Sequence, residues 1–170
     1  MNPIELFYKA YNFEIMEAEI LDEENYDSWL KLLDEDFEYV VALGNFIQGK
    51  KLSFEKNSQL FKADKNKWRV FIDRLKSDYG WAYQYSQTRL RRIVSNIRIA
   101  DFSEDKKIIN VNNNIIVLRI NGEEQVQQPI IISGKREDSL ALHNDEIRLK
   151  KRIVYLDHSS YPSYNLYFPL

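Results

Sequence analysis

The sequence predicts a single α+β domain, with helices first and a long-stranded antiparallel sheet after them. Three observations carry this. Apolar residues recur at three- and four-residue steps in two early segments, 3–22 and 64–79. From Gln87 onward isoleucine and valine dominate four long runs, as half-buried pleated surface favours. Short polar turns separate those runs, so sequential strands pair antiparallel. Helices followed by such strands form the α+β pattern, and the helices are the material available to cover one face of a curved sheet. The expected shape is a half-open cone with a hollow.

Each element has its own signal. In 3–22 the residues Ile4, Phe7, Tyr8, Tyr11, Ile15 and Ala18 form one stripe, and Asn2 before Pro3 is a good helix start. A short helix fits Tyr26 to Leu33, with Trp29, Leu32 and Leu33 apolar. Asp34 to Val41 has strand character and ends at Gly44-Asn45. Residues 44–63 show little periodicity and are expected to be a long loop, a length that hints at a functional or interface role. The helix 64–79 places Trp68, Phe71, Ile72, Leu75 and Tyr79 on one stripe, with Gly80 as its C-terminal cap. Strands are expected over 88–101, 107–121, 125–142 and 146–158, with Gly134 a candidate bulge. The aromatic tail 159–170 is expected to dock on the body.

Composition excludes several classes. The 170 residues, 44% apolar and 29% charged, suit one domain over 1–170 with one core. No apolar run approaches the ~20 residues of a membrane span. The acidic start, with Glu5, Glu14 and Glu17, is unlike a signal peptide, so a cytoplasmic location is expected. A net charge of -2 argues against a general nucleic-acid binder. Cysteine is absent, so the chain cannot supply the two cysteines of a Rieske cluster.

Catalytic signals are sparse. His143 and His158 are the only histidines, and neither has a partner at metal-ligand spacing. His143 falls in a turn and is expected in solvent. Asp157 and His158 are adjacent on a strand, so they point to opposite faces and do not make a dyad. Arg89, Arg91 and Arg92, with Lys150, Lys151 and Arg152, form the most basic region, which fits cross-strand ion pairs or an acidic partner better than nucleic acid. Arg136 and Asp138 share the inward parity of Ile130, Ile132, Leu140 and Leu142. Buried charges persist only when paired, so a structural network is preferred over a polar cavity floor. Asp22 and Tyr39 at the mouth of the hollow are a candidate carboxylate and phenol for proton transfer, or else a turn carboxylate and a core aromatic. Phosphate-loop, nucleophile-elbow and paired-carboxylate motifs are missing.

Four segments together resemble the small (beta) subunit of aromatic-ring-hydroxylating dioxygenases. The first is Glu17-Ala18-Glu19-Ile20-Leu21-Asp22-Glu23, continuing through Tyr26, Trp29-Leu30 and Leu32-Leu33 to Asp36 and Tyr39. The second, the most specific, runs from Asp64-Lys65 through Arg74-Leu75, Trp81-Ala82, Ser86 and Thr88-Arg89 to Ile93-Val94-Ser95-Asn96-Ile97. The third is Gly134-Lys135-Arg136-Glu137-Asp138 with Leu140, and the fourth is Lys151-Arg152-Ile153-Val154-Tyr155-Leu156-Asp157 with Asn165-Leu166.

The resemblance implies a cystatin-like, nuclear-transport-factor-2-like fold. It implies a non-catalytic chain beside an alpha subunit that holds the Rieske [2Fe-2S] cluster and the mononuclear iron, with no cofactor or metal on this chain. It also implies self-association as a trimer within a three-plus-three hexamer. Trp81, Arg89, Arg91, Arg92, Tyr164 and Phe168 are then the expected partner contacts. The same fold also hosts standalone dehydratases, isomerases and cyclases. On that rival reading Asp22, Tyr39, Arg136, Asp138 and His158 would line the cavity.

Overall fold

The chain was analysed as a computed structural model that describes residues 2–43, 59–76, 88–121, 129–144, 146–158 and 168–170. Helix α1 covers Pro3–Asp22, opened by Asn2, whose side chain accepts from the Ile4 N–H at 3.0 Å. Helix α2 covers Tyr26–Leu32 and is capped by Asn25. Strand β1 is Leu33–Leu43, β2 is Gln59–Asp64, and helix α3 is Lys65–Lys76. The long strands are β3 Thr88–Ser103, β4 Ile108–Asn121, β5 Ile130–His143 and β6 Glu146–Leu156. Among the described residues no helix is long and apolar enough to cross a membrane.

The strands form one sheet in the order β2-β1-β6-β5-β4-β3. Every pairing is antiparallel except β1 with β6, which is parallel. Strand β3 bends where its register shifts between Ser95 and Arg98, and Asn96 there takes a φ of 54°. Asparagine tolerates this left-handed conformation better than most residues, and the bulge adds curvature. The curved, open sheet expected from the sequence is therefore observed.

Four expectations need correction. Part of the segment expected to be a loop is strand β2, paired with β1 from Asp64 back to Gln59. It is a short edge strand with Ala63 as its buried residue, so it carries almost no hydrophobic pattern. The rest of that segment lies outside the described residues, as does Gly80. Gly134 is no bulge: its register runs evenly against both β4 and β6, and β5 shifts between Ser139 and Leu140 instead. Glycine is required at 134 because a Cβ would meet the Tyr155 carbonyl oxygen at 2.5 Å.

The third correction concerns α1. Its buried side is Leu6, Ala10, Phe13, Glu14, Glu17, Ala18 and Leu21. The stripe read from the sequence faces outward, with Ile4, Phe7, Tyr8, Tyr11 and Ile15 all exposed. The fourth concerns His143, which is half in solvent but places Nε2 2.7 Å from Asp34 Oδ2.

The core sits between the helices and the inner face of the sheet. Trp68 of α3 is its aromatic hub, with ring centroids 5.3 Å from Trp29 and 5.2 Å from Tyr39, both edge-on.

Candidate functional site

The inner face of the sheet carries charge at its centre. Arg136 and Asp138 alternate with Ile132, Leu140 and Leu142 on β5, and Arg152 precedes Val154 and Leu156 on β6. The register sets Asp138 directly opposite Arg152. Helix α1 lowers Glu14 and Glu17 onto them, one turn apart on the same face. All five side chains are fully enclosed.

The cluster is densely bonded. Arg152 donates from Nη1 to Glu17 Oε1 and from Nη2 to Glu17 Oε2, both at 2.7 Å. It donates to both oxygens of Asp138 at 2.9 and 2.8 Å. Arg136 donates from Nη2 to Glu14 Oε2 at 2.7 Å and from Nε to Asn113 Oδ1 at 2.7 Å. The indole N–H of Trp29 donates to Glu17 Oε1 at 2.8 Å, joining α2 to the network.

Three carboxyl groups face two guanidiniums, so one proton balances the charge. Burial, then the Asp138 charge, holds the Glu14 carboxyl well above its ordinary value. Burial also pushes Asp138 upward, but Arg152 and Arg136 outweigh it and leave that carboxylate low. Glu14 therefore keeps the proton and Asp138 stays ionised. Burial would lower Arg152, yet Asp138 and Glu17 raise it well above its ordinary value.

The end of the described chain closes the hollow. Phe168 and Leu170 are buried in the core. The Leu170 N–H donates to the Tyr39 hydroxyl oxygen at 2.9 Å, and Arg152 Nη1 donates to the Leu170 carbonyl at 3.2 Å. Arg92 Nη2 donates to the Pro169 carbonyl at 2.7 Å, and its guanidinium lies 5.9 Å from the centroid of the Phe168 ring. Burial pushes the Tyr39 phenol up to about 12.

The residues of the rival cavity set do not converge. Arg136 and Asp138 sit together, with Nε 3.8 Å from Oδ2. Tyr39 is tied to Leu170. Asp22 caps the free edge of β3, accepting from the Arg92 N–H at 3.0 Å and from Arg92 Nη1 at 3.0 Å. It lines an open groove of about 530 Å³ between α1 and β3 with Ile15, Arg91 and Val94. His158 lies two residues past the end of β6, and its buried Nε2 has no hydrogen-bond partner among the described residues. No hydrogen bond links Asp22, Tyr39 or His158 to the Arg136–Asp138 pair among those residues.

The expected partner contacts divide likewise. Arg89 is exposed and the Arg91 side chain is 72% exposed, but the Arg92 side chain is wholly enclosed. Arg92 is corrected to an internal strut, because Asp22 and Pro169 consume its guanidinium. Phe168 is likewise a core residue and not a surface anchor. Trp81 and Tyr164 lie outside the described residues. The sequence points to none of Glu14, Glu17 and Asn113; Arg152 does make a cross-strand ion pair of the kind expected for the basic region, with Asp138, but inside the core. The available signal was a second face of α1, where Leu6, Ala10, Phe13, Ala18 and Leu21 flank Glu14 and Glu17.

Comparison with known proteins decides the family. The family described as the ring hydroxylating beta subunit matches residues 16–163. The chain belongs to that family. The beta subunit of benzene 1,2-dioxygenase from Pseudomonas putida is 25% identical to this beta subunit over 96% of its length and 88% of the relative's. The beta subunit of biphenyl 2,3-dioxygenase from Rhodococcus jostii is 27% identical over 96% of this chain and 88% of its own. A chain in the structure of naphthalene 1,2-dioxygenase with indole in the active site superposes with a TM-score of 0.83 at 19% identity, covering 100% of this beta subunit and 88% of that chain. At that identity the last match speaks for the fold alone.

Proposed function

We propose that this chain is a structural, non-catalytic subunit of an aromatic-ring-hydroxylating dioxygenase, supporting a large catalytic alpha subunit in the breakdown of aromatic compounds. Membership of the beta-subunit family supports this. The observation that carries it is the state of the hollow. Its charges pair with one another, and Phe168 and Leu170 are buried in the same core. A proton-transfer enzyme needs a group within reach of a bound substrate. Here those groups are spent on the fold, which speaks against the standalone dehydratase, isomerase or cyclase.

On this reading residues 1–170 act as one domain. The Rieske cluster and the mononuclear iron belong to the alpha subunit, and the lack of cysteine in this chain agrees with that division. The complex works in the cytoplasm, and copies of this chain also associate with each other. Arg89 and Arg91, with Trp81 and Tyr164, remain candidate contacts. The test is co-expression with a large subunit that carries the Rieske ligands. A complex of fixed stoichiometry is expected, with ring hydroxylation only when both chains are present. Turnover of a small molecule by this chain alone, abolished by Tyr39→Phe or Asp22→Asn, would overturn the proposal.

A further inference from the structure

An open sheet has two edges, and here they are strands β2 and β3. An edge strand presents unpaired backbone N–H and C=O groups, a template on which the strand of another chain can add. Strand β3 is the greater hazard. It runs for 16 residues, Thr88–Ser103, and carries Ile93, Val94, Ile97 and Ile99. Strand β2 has only 6 residues and offers far less to pair with.

A charged side chain from the neighbouring helix meets the backbone on each of these strands, and its sign suits the group it meets. On β3 the Arg92 N–H is a donor, and it is met by an anion. Asp22, the last residue of α1, accepts from it at 3.0 and 3.1 Å through its two oxygens. On β2 the Lys62 carbonyl is an acceptor, and it is met by a cation. Lys67, in the first turn of α3, donates to it from Nζ at 3.3 Å. The Lys67 contact is exposed, whereas the Asp22 side chain is only 8% exposed.

The Asp22 block is fixed in place. The same carboxylate holds Arg92 Nη1 at 3.0 Å, and the Arg92 side chain is wholly enclosed. A strand that took over the Arg92 N–H would displace Asp22 and leave the charge of a buried guanidinium uncompensated. Farther along, β3 is protected by its shape. Its register shifts twice, between Ser95 and Arg98 and between Ile99 and Asp101, and Arg98 and Asp101 are exposed. Bulges bend an edge away from a straight partner, and edge charges oppose its approach.

We infer that Asp22 guards the β3 edge: it occupies the backbone donor that an incoming strand would use, and so keeps this sheet from running on into the sheet of another chain. Neighbouring chains then meet the faces of the sheet and the helices, never its long edge. This role is the same whether or not a large subunit is bound.

The first experiment measures amide hydrogen exchange in the wild-type full chain. The Arg92 amide is expected to exchange at least roughly tenfold slower than an unprotected amide of the same sequence. Exchange at the unprotected rate overturns the inference. The second experiment compares Asp22→Ala, which opens the edge, with Asp22→Asn, whose amide oxygen still accepts from the Arg92 N–H. Tyr39→Phe is the control that loosens the fold away from the edge. All are held below their melting temperatures and followed by light scattering and thioflavin fluorescence. Asp22→Ala is expected to build thioflavin-positive assemblies at least roughly tenfold faster than Tyr39→Phe, while Asp22→Asn keeps the wild-type mass. An Asp22→Ala chain that keeps the wild-type mass, a Tyr39→Phe chain that assembles as fast, or an Asp22→Asn chain that matches Asp22→Ala overturns the inference. Should Asp22→Ala fail to fold, the exchange rate of the Arg92 amide decides alone.

Discussion

Arg152 on β6 grips Glu17 on α1 through two hydrogen bonds of 2.7 Å, across 135 positions of sequence. The same guanidinium holds both oxygens of Asp138. It is the fastener between the first helix and the sheet. Breaking a buried pair by removing one partner costs about 3–5 kcal/mol, because the other charge is left buried and alone. Arg152→Met strands two carboxylates at once. Its unfolding free energy is expected to fall by at least that amount, measured by urea denaturation. A loss below about 1 kcal/mol would show that the cluster does not hold the fold together.

Glu14 sets a pH dependence. Its folded value lies well above the ordinary 4.5, chiefly through burial and then through the charge of Asp138. Between those two values the folded chain binds a proton that the unfolded chain has lost. Stability then falls as pH rises through that window. Glu14→Gln is neutral throughout and removes that slope. The variant is expected to gain on wild type as pH rises above the ordinary 4.5 in matched denaturation curves. Asp138 works in the other direction: its folded value is low, so its contribution is lost as pH falls below the ordinary 3.8. A constant difference between Glu14→Gln and wild type across the range would contradict the assignment of the proton to Glu14.

The sequence made the architecture legible where periodicity and turn chemistry agreed. The helices, the four long strands and the inward parity of Arg136 and Asp138 all follow from such patterns. It misled where the most hydrophobic face was not the buried one. On α1 the strongest stripe, Ile4 to Ile15, faces out, while the buried face contains two glutamates. A hydrophobic count cannot choose Glu14 and Glu17 as core residues, because their burial depends on Arg136 and Arg152 more than 120 residues away. The docking of the tail is legible from its aromatic content, and Phe168 and Leu170 are buried as expected; its seat is not legible, since the partners Tyr39, Arg92 and Arg152 come from three separate strands. Strand β2 was missed because an edge strand with one buried residue has no alternation to read.

Gly134 provides a local test of the sheet. A methyl group there would meet the carbonyl oxygen of Tyr155 at 2.5 Å, and backbone cannot swing aside as a side chain does. Gly134→Ala is expected to cost about 1–3 kcal/mol by forcing β5 away from β6. Ser133→Ala, on the outer face beside it, is expected to stay within about 0.5 kcal/mol. Equal effects at the two positions would mean that the close approach of the strands is not what glycine serves.

Tyr39 separates an anchoring role from a catalytic one. Its ring packs edge-on against Trp68, 5.2 Å between centroids, and its hydroxyl accepts from the Leu170 N–H at 2.9 Å. Tyr39→Phe keeps the ring and its volume and removes the acceptor. The Leu170 N–H is then buried without a partner, which costs about 1–3 kcal/mol. Phe168→Ala removes the plug itself and is expected to cost about 3–5 kcal/mol. Both are read by thermal or urea unfolding of the isolated chain. The assembled dioxygenase is expected to hydroxylate its substrate at the wild-type rate per complex with either variant, once temperature is low enough to keep the chain folded. The phenol, held at about 12 by burial, is a poor proton donor near neutral pH. A Tyr39→Phe chain as stable as wild type, in a complex that no longer turns over, would place the hydroxyl in chemistry and not in the fold.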